Sequence, residues 1–451
     1  METIFTKDQL ADPRMAEADK ILRSCVHCGF CTATCPTYLV LGDERDSPRG
    51  RIYLIKSMLE GETPAKQVKT HMDRCLSCYA CMTTCPSGVD YMHLSDLARA
   101  KIDEAVARPP KDRLTRKLLR LVLPYPARFR AALGAATLAR PFRNLFRRFG
   151  LKEIAAMLDM PATARRGMYS RPQIVKTRNA RRGRVALLGG CAQRVLRPQI
   201  NDATIRFLNH IGYDVVLPDG EGCCGALVLH MGKEAEGQEF AKRNIDVWWA
   251  LREQGPLDAI IISASGCGTT VKDYGHLFAQ DPDYAEKARF ISSITKDITE
   301  FAAALQLDAP QGWTDIRVAY HSACSMQHGQ RIHEPPRKLL RNAGFTVMEI
   351  PEAHICCGSA GTYNILQSDI ANELRERKRS SIARVKPDVV ATGNIGCINQ
   401  LTGGPAPIVH TVELLDWAYG GPCPEEIGHL KGRVRQMKGY AEIVREVEPV
   451  A

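Results

Sequence analysis

No stretch of this sequence approaches the roughly 18 uninterrupted apolar residues that a membrane-spanning helix needs. The best candidate, around Leu118 to Leu123, is broken by Arg120, Pro124 and Pro126. A spanning helix is thereby excluded. Met1 to Met15 carries Glu2, Lys7, Asp8 and Asp12 and lacks both an apolar h-region and a small-residue cleavage site. It does not read as a secretory signal, so a cytoplasmic chain is expected. No Gly-x-Gly-x-x-Gly follows a strand-like run and no Walker loop is present, which leaves neither a dinucleotide nor a nucleoside triphosphate site indicated. A c-type haem needs His directly after the second cysteine of a C-x-x-C pair, and Gly29, Thr32, Tyr79 and Met82 exclude it. No Ser-His-Asp or paired-carboxylate arrangement can be named, so no catalytic residue is assigned.

What the sequence has in excess is cysteine, 17 in 451 residues. A reducing compartment keeps thiols free, which directs attention to metal binding rather than to disulfides. At this length about two to four domains are expected. Sixteen of the cysteines fall into two repeated patterns; Cys423, left over, reads as an ordinary thiol of the tail.

The first pattern is Cys25-Val26-His27-Cys28-Gly29-Phe30-Cys31-Thr32-Ala33-Thr34-Cys35-Pro36, repeated fifty residues later from Cys75 through Cys78 and Cys81 to Cys85-Pro86. Both copies have the spacing C-x2-C-x2-C-x3-C-P, in which a tight loop presents three thiolates to one 4Fe-4S cluster and the fourth serves the other. Cys25, Cys28, Cys31 and Cys85 are assigned to one cluster, and Cys75, Cys78, Cys81 and Cys35 to the second. Structural zinc is the rival reading, since soft thiolates suit both. Zinc sites bring two C-x2-4-C pairs from separate turns, and the compressed, proline-closed, duplicated spacing favours clusters. Between the copies, Ser47-Pro48 reads as an N-cap and first helical residue, with Ile52, Ile55, Met58 and Leu59 on one face and Gly61 as the stop.

From Lys101 to Gly183 there are 21 Lys or Arg against five Asp or Glu, in a chain whose net charge is +11. Pro109, Pro110, Pro124, Pro126, Pro141 and Pro161 punctuate this segment, which reads as short amphipathic helices in a connector. Beyond it the chain duplicates itself. Cys191, Cys223 and Cys224 recur 133 residues later as Cys324, Cys356 and Cys357, and Cys267 recurs 130 residues later as Cys397. Apolar runs such as Val185 to Leu188, Tyr213 to Leu217 and Ala259 to Ile262 alternate with helix-length stretches such as Ile370 to Val385. This pattern predicts parallel strands with crossover helices, and cysteines just past the strands' carboxyl ends, where open α/β sheets place ligands.

The paired ferredoxin motifs followed by Gly222-Cys223-Cys224-Gly225 and Ile355-Cys356-Cys357-Gly358 resemble the CCG-domain proteins. That family includes the iron-sulfur subunits of glycolate oxidase, of anaerobic glycerol-3-phosphate dehydrogenase and of lactate-utilisation complexes, and the B subunit of heterodisulfide reductase. The likeness runs from about Ala18 to Trp417 and is greatest to the glycolate oxidase type, through Pro48 to Lys56, Ala264 to Gly268, Val271 to Gly275 and Cys356 to Tyr363.

These patterns and the resemblance together predict a multi-domain α+β/α/β chain: a mainly helical two-cluster domain (1–107), a basic helical linker (108–183), two α/β CCG units (184–310 and 311–420) and a C-terminal tail (421–451). The resemblance implies an electron-transfer subunit, not catalytic alone, working with FAD-binding glycolate oxidase subunits and passing electrons to a respiratory-chain quinone. Peripheral contact with the inner face of the plasma membrane is implied, and nucleic acid is not. A related lactate or glycerol-3-phosphate dehydrogenase complex, or a metal-binding scaffold without a redox role, are the alternatives. In heterodisulfide reductase a further cysteine closes each unit; here Thr270 and Gln400 stand in its place. The remaining sets, Cys191, Cys223, Cys224, Cys267 and Cys324, Cys356, Cys357, Cys397, read either as an additional iron-sulfur or other metal site or as a structural remnant of small buried thiols.

Overall fold

The computed structural model of the chain describes residues 1–148, 158, 167–169, 171–310 and 314–433. Pro161, the boundary at 311 and the tail from 434 onward lie outside the described residues.

The first domain is helical: α1 (Pro13–Ser24), α2 (Pro36–Leu41), α3 (Pro48–Leu59), α4 (Ala65–Asp73), α5 (Ala80–Thr84) and α6 (Tyr91–Ala105). Among the described residues no strand precedes Gln173. The start of α3 follows from its sequence, because the Ser47 hydroxyl accepts from the Gly50 N–H at 3.0 Å and Pro48 occupies N1, where its missing N–H is no loss. Gly50 is required by packing: a Cβ there would lie 2.0 Å from the carbonyl oxygen of Glu44. Ile52, Ile55 and Leu59 enter a core with Leu22, Val68, Met72 and Leu94, each such side chain contributing about 1.5–3 kcal/mol on full burial.

Two helices of the basic segment follow, α7 (Pro110–Val122) and α8 (Pro126–Ala139). The first is clamped rather than free: Arg108, just before it, and Arg116 pair with Asp73 at 2.8 and 3.2 Å, and Arg120 near its end pairs with Glu236. Phe129 of α8 is buried against the main α/β core.

The rest builds two sheets. The first holds β1 (Gln173–Val175), β2 (Gly183–Leu187), β3 (Tyr213–Leu217), β4 (Ala259–Ile262) and β5 (Thr295–Asp297) in the order β1-β3-β2-β4-β5. Only β1 is antiparallel, Ile174 facing Val216. Its residues, placed by the sequence reading in the basic connector, thus form the edge of the first sheet. Helices α9 (Gln199–His210) and α10 (Glu234–Glu253) make crossovers, and α11 (Ser265–Lys272) follows β4. The second sheet is all parallel, β7-β6-β8-β9, from β6 (Arg317–Tyr320), β7 (Thr346–Glu349), β8 (Val389–Thr392) and β9 (Ile408–His410). Its helices are α12 (Glu334–Asn342), α13 (Ser368–Val385), α14 (Ile395–Leu401) and α15 (Thr411–Ala418). Helix α9 of the first unit packs on α15 of the second, and Val185, Phe207, Tyr320 and Trp417 belong to one continuous core. The strand-and-crossover expectation holds in both units; β1, β5 and β9, three residues each, were not anticipated.

Candidate functional site

The two cysteine loops of the helical domain have matching backbones. Cys25 caps the end of α1 and Cys35 precedes Pro36 at the start of α2, while Cys75 follows α4 and Cys85 caps the end of α5. Left-handed residues fall at the same motif positions in both: His27 (φ 56°) matches Ser77 (51°), and Gly29 (85°) matches Tyr79 (59°). These reversals turn successive thiols inward. Cys25, Cys28, Cys31 and Cys85 line one pocket, whose wall also includes Cys81. Cys78 and Cys81, partly buried, have thiols held well above the usual range, first by burial and then by neighbouring cysteines; Cys31 is pushed up to about 11, mainly by burial. Metal loading here must therefore expel protons. Thiolate donors on two reversed loops, each motif's last cysteine extending toward the other, fit a pair of iron-sulfur clusters.

A buried ionic network organises the second loop. Arg51, 1% exposed, donates through Nε to the His71 carbonyl at 2.8 Å, and through Nη2 to Thr37 Oγ1 at 3.0 Å and Asp46 Oδ1 at 3.3 Å. Arg74 and His71 complete the shell around Asp46, at 2.8 and 3.0 Å. Burial opposes ionisation of Cys75, but Arg51 and Arg99 outweigh it and hold that thiol below the ordinary range. The Tyr91 hydroxyl donates to Cys75 Sγ at 3.6 Å.

The second loop abuts the second α/β unit. Leu76 and Cys78 pack with Ile355, Cys356 and Cys324, the Thr83 hydroxyl meets His328 Nδ1 at 2.6 Å, and Tyr363 donates to the Arg74 carbonyl at 2.9 Å. The first loop faces outward, with Val26 and Phe30 exposed and Cys28 exposed beside them.

Each unit gathers its four cysteines beyond the strands' carboxyl ends. In the second, Cys324 and Cys356 have sulfurs 3.3 Å apart, and Cys357 and Cys397 are 3.5 Å apart. The adjacent Cys356 and Cys357 also contact each other, so the four thiols form a chain from Cys324 through Cys356 and Cys357 to Cys397. In the first, Cys191 contacts Cys223, Cys223 contacts Cys224, and Cys224 contacts Cys267. Of the two residues that end these units, Gln400 donates from its side chain to the Ala371 carbonyl at 3.1 Å, and the Thr270 hydroxyl donates to the Gly266 carbonyl at 3.3 Å.

Sequence reasoning missed three residues here. Arg51 stands on the apolar face of α3, next to Ile52, and a charge on a buried helix face is the signal that identifies it. His321 and Lys378, 2% and 1% exposed, sit among the second unit's cysteines. The signal for His321 was the repeat itself: three residues before Cys324 stands His321, and three before Cys191 stands Leu188.

Comparison with known proteins agrees with this anatomy. The model of the 4Fe-4S dicluster domain matches residues 21–89, and that of the cysteine-rich CCG domain matches 185–272 and 318–402. The glycolate oxidase iron-sulfur subunit of Escherichia coli (strain K12) is 42% identical over 419 residues, covering 93% of this chain and 99% of that protein. A probable glycolate oxidase iron-sulfur subunit of Bacillus subtilis (strain 168) is 31% identical over 433 residues, with 90% and 96% covered. Lactate utilization protein A of an Exiguobacterium species is 28% identical over 51% of this chain. A crystal structure of a hypothetical protein from Helicobacter pylori superposes with a TM-score of 0.54 at 10% identity, covering 94% of this chain and 75% of that one, a likeness of fold alone. With a helical two-cluster domain, two CCG units and this identity over nearly its whole length, the chain belongs to the family of glycolate oxidase iron-sulfur subunits.

Proposed function

We propose that this chain is the electron-transfer subunit of a complex oxidising glycolate to glyoxylate, receiving electrons from FAD-binding partner subunits and passing them to a respiratory-chain quinone. The observation that carries the reading is the interlocking of the two loops: Cys85 lies with Cys25, Cys28 and Cys31 in one pocket, while Cys35 shares the Arg51 guanidinium with Cys75. It supports assigning Cys25, Cys28, Cys31 and Cys85 to one 4Fe-4S cluster and Cys75, Cys78, Cys81 and Cys35 to the other. Bound there, the clusters take up and release electrons singly. A hydroxy acid gives up two electrons together, which requires an organic cofactor elsewhere in the complex. The chain's own residues hold the thiolates, cover part of the second loop and place a buried positive charge beside it.

The outward first loop, with exposed Val26 and Phe30, supports reception of electrons there, and the inward second loop supports their onward passage beside the second unit. We propose the domain division already given, 1–107, 108–183, 184–310, 311–420 and 421–451, with Gln173–Val175 and Gly183 at the end of the second segment contributing to the first sheet of the third. Peripheral contact with an anionic membrane is supported by α7, where Leu114, Leu118 and Leu121 are 58%, 49% and 45% exposed along one face of a basic helix. The test is to express the chain with and without its flavoprotein partners and measure glycolate-dependent dye or quinone reduction. Turnover requires both. Preference for D-lactate would revise the substrate alone.

A further inference from the structure

We propose that the second α/β unit holds a metal centre in which the imidazole of His321 is a ligand beside Cys357 and Cys397. His321 follows directly on β6, at the carboxyl edge of the second sheet. It is 2% exposed, and neither ring nitrogen has a hydrogen-bond partner. A buried imidazole with both nitrogens unpaired is a standing cost to the fold unless something else occupies them. One ring nitrogen and the sulfurs of Cys357 and Cys397 all lie within 4.8 Å of one another, so one ion can reach all three. Cys356 and Cys324 extend the donor set, their sulfurs 3.3 Å apart. Imidazole nitrogen is a common metal ligand, and here both ring nitrogens are unengaged.

Lys378 supplies the charge that such a centre needs. It is 1% exposed, donates from Nζ to the Glu352 carbonyl at 2.6 Å, and faces Cys357, Cys356 and Cys324. Several thiolates around a divalent ion leave net negative charge in a dry site, and a fixed ammonium offsets it.

The first unit shows what the fold does without these residues. Leu188 occupies the place of His321. The counterpart of Lys378 is Ile245 when counted from the paired cysteines, or Trp248 when counted from the last cysteine, and both are buried. Among the described residues, no three donors of the first unit's cysteine set fall within the same 4.8 Å. The repeat therefore tolerates apolar residues at both positions, and the polar pair in the second unit is a departure that packing does not require. Thiolates with one imidazole suit zinc or the iron of an iron-sulfur centre. The centre lies against the second ferredoxin-type loop, since Cys324 and Cys78 pack on the same buried cluster.

The inference rests on the proposed function only for the iron content against which additional metal is counted. The test is metal and acid-labile sulfide analysis of the full chain, produced anaerobically with iron and zinc both supplied, with EPR of the reduced protein. Wild type is expected to hold about eight irons in its two clusters and further metal besides. His321→Leu, which installs the residue the first unit uses, and Cys397→Ser are each expected to lose that further metal at least fivefold while both cluster signals persist. His321→Cys, retaining a soft donor, is expected to keep it, and Cys267→Ser, in the first unit, leaves it in place. Extra iron with extra sulfide identifies an iron-sulfur centre and stoichiometric zinc a zinc centre, either of which supports the proposal. Wild type with no metal beyond the two clusters, equal metal in His321→Leu and His321→Cys, or loss in Cys267→Ser rather than Cys397→Ser would overturn it. Failure of the two ferredoxin-type clusters themselves would show separately, as missing cluster signals in wild type.

Discussion

The Nη1 of Arg51 lies 3.8 Å from the Sγ of Cys35, and the same guanidinium holds down the ionisation threshold of Cys75. One buried cation thus serves two thiols from two different loops. A reduced cluster carries one more negative charge than an oxidised one, so a fixed positive charge beside it favours reduction.

Replacing Arg51 by Gln is therefore expected to lower the reduction potential of the second cluster and leave the first nearly unchanged. It also strips Asp46 of one partner in a buried network, at a cost of about 3–5 kcal/mol. EPR-monitored redox titration with thermal unfolding checks both. An unchanged potential in a folded variant would separate Arg51 from the cluster.

Cys28→Ala and Cys78→Ala are expected each to remove up to half of about eight irons, and to abolish different EPR signals. Cys28 is exposed, so its variant should fold normally. Loss of the same signal in both would contradict the assignment of the ligand sets.

His93 donates to Asp90 Oδ2 at 2.6 Å and to Asp273 Oδ1 at 3.0 Å, the latter linking the helical domain to the first α/β unit. Burial disfavours its charge, but the two carboxylates win and push the ring up to about 10. In the unfolded chain it titrates near 6.5, at about the ordinary value. The stability it contributes is thus complete below about pH 6.5 and declines as pH rises through about 10. His93→Gln is expected to lose about 2 kcal/mol at pH 6 and to show a flatter fall toward pH 10. Parallel pH profiles for the two proteins, from thermal unfolding, would contradict this.

Much of this architecture was legible because duplication repeats its own evidence. The cysteine spacing exposed both loops, and Val185, Tyr213 and Ala259 opened apolar runs that became β2, β3 and β4. β1, β5 and β9 escaped because three residues carry too little alternation to register, and what makes Ile174 a strand residue is its pairing with Val216, a tertiary fact. Arg51 and His321 escaped for another reason. A single polar residue in an apolar stretch is ambiguous until the fold shows whether it meets solvent or a thiol.

Substituting Glu for Leu118 and Leu121 on the exposed face of α7 is expected to reduce flotation with anionic vesicles severalfold at low salt, since apolar insertion and basic attraction act together on such a helix. Both cluster signals should remain. Wild-type binding that is absent, or equal to that of the variant, would remove the case for peripheral attachment. Higher salt weakens the electrostatic share by screening.

On the proposed function, electrons from glycolate reach this chain's clusters only by way of a flavin-bearing partner. The direct measurement is EPR of the clusters after anaerobic addition of glycolate, with the chain alone and with the chain bound to its FAD-containing subunits. Reduced-cluster signals are expected in the complex and none in the isolated chain. Signals from the isolated chain, or a fully active complex whose clusters stay oxidised throughout turnover, would contradict it.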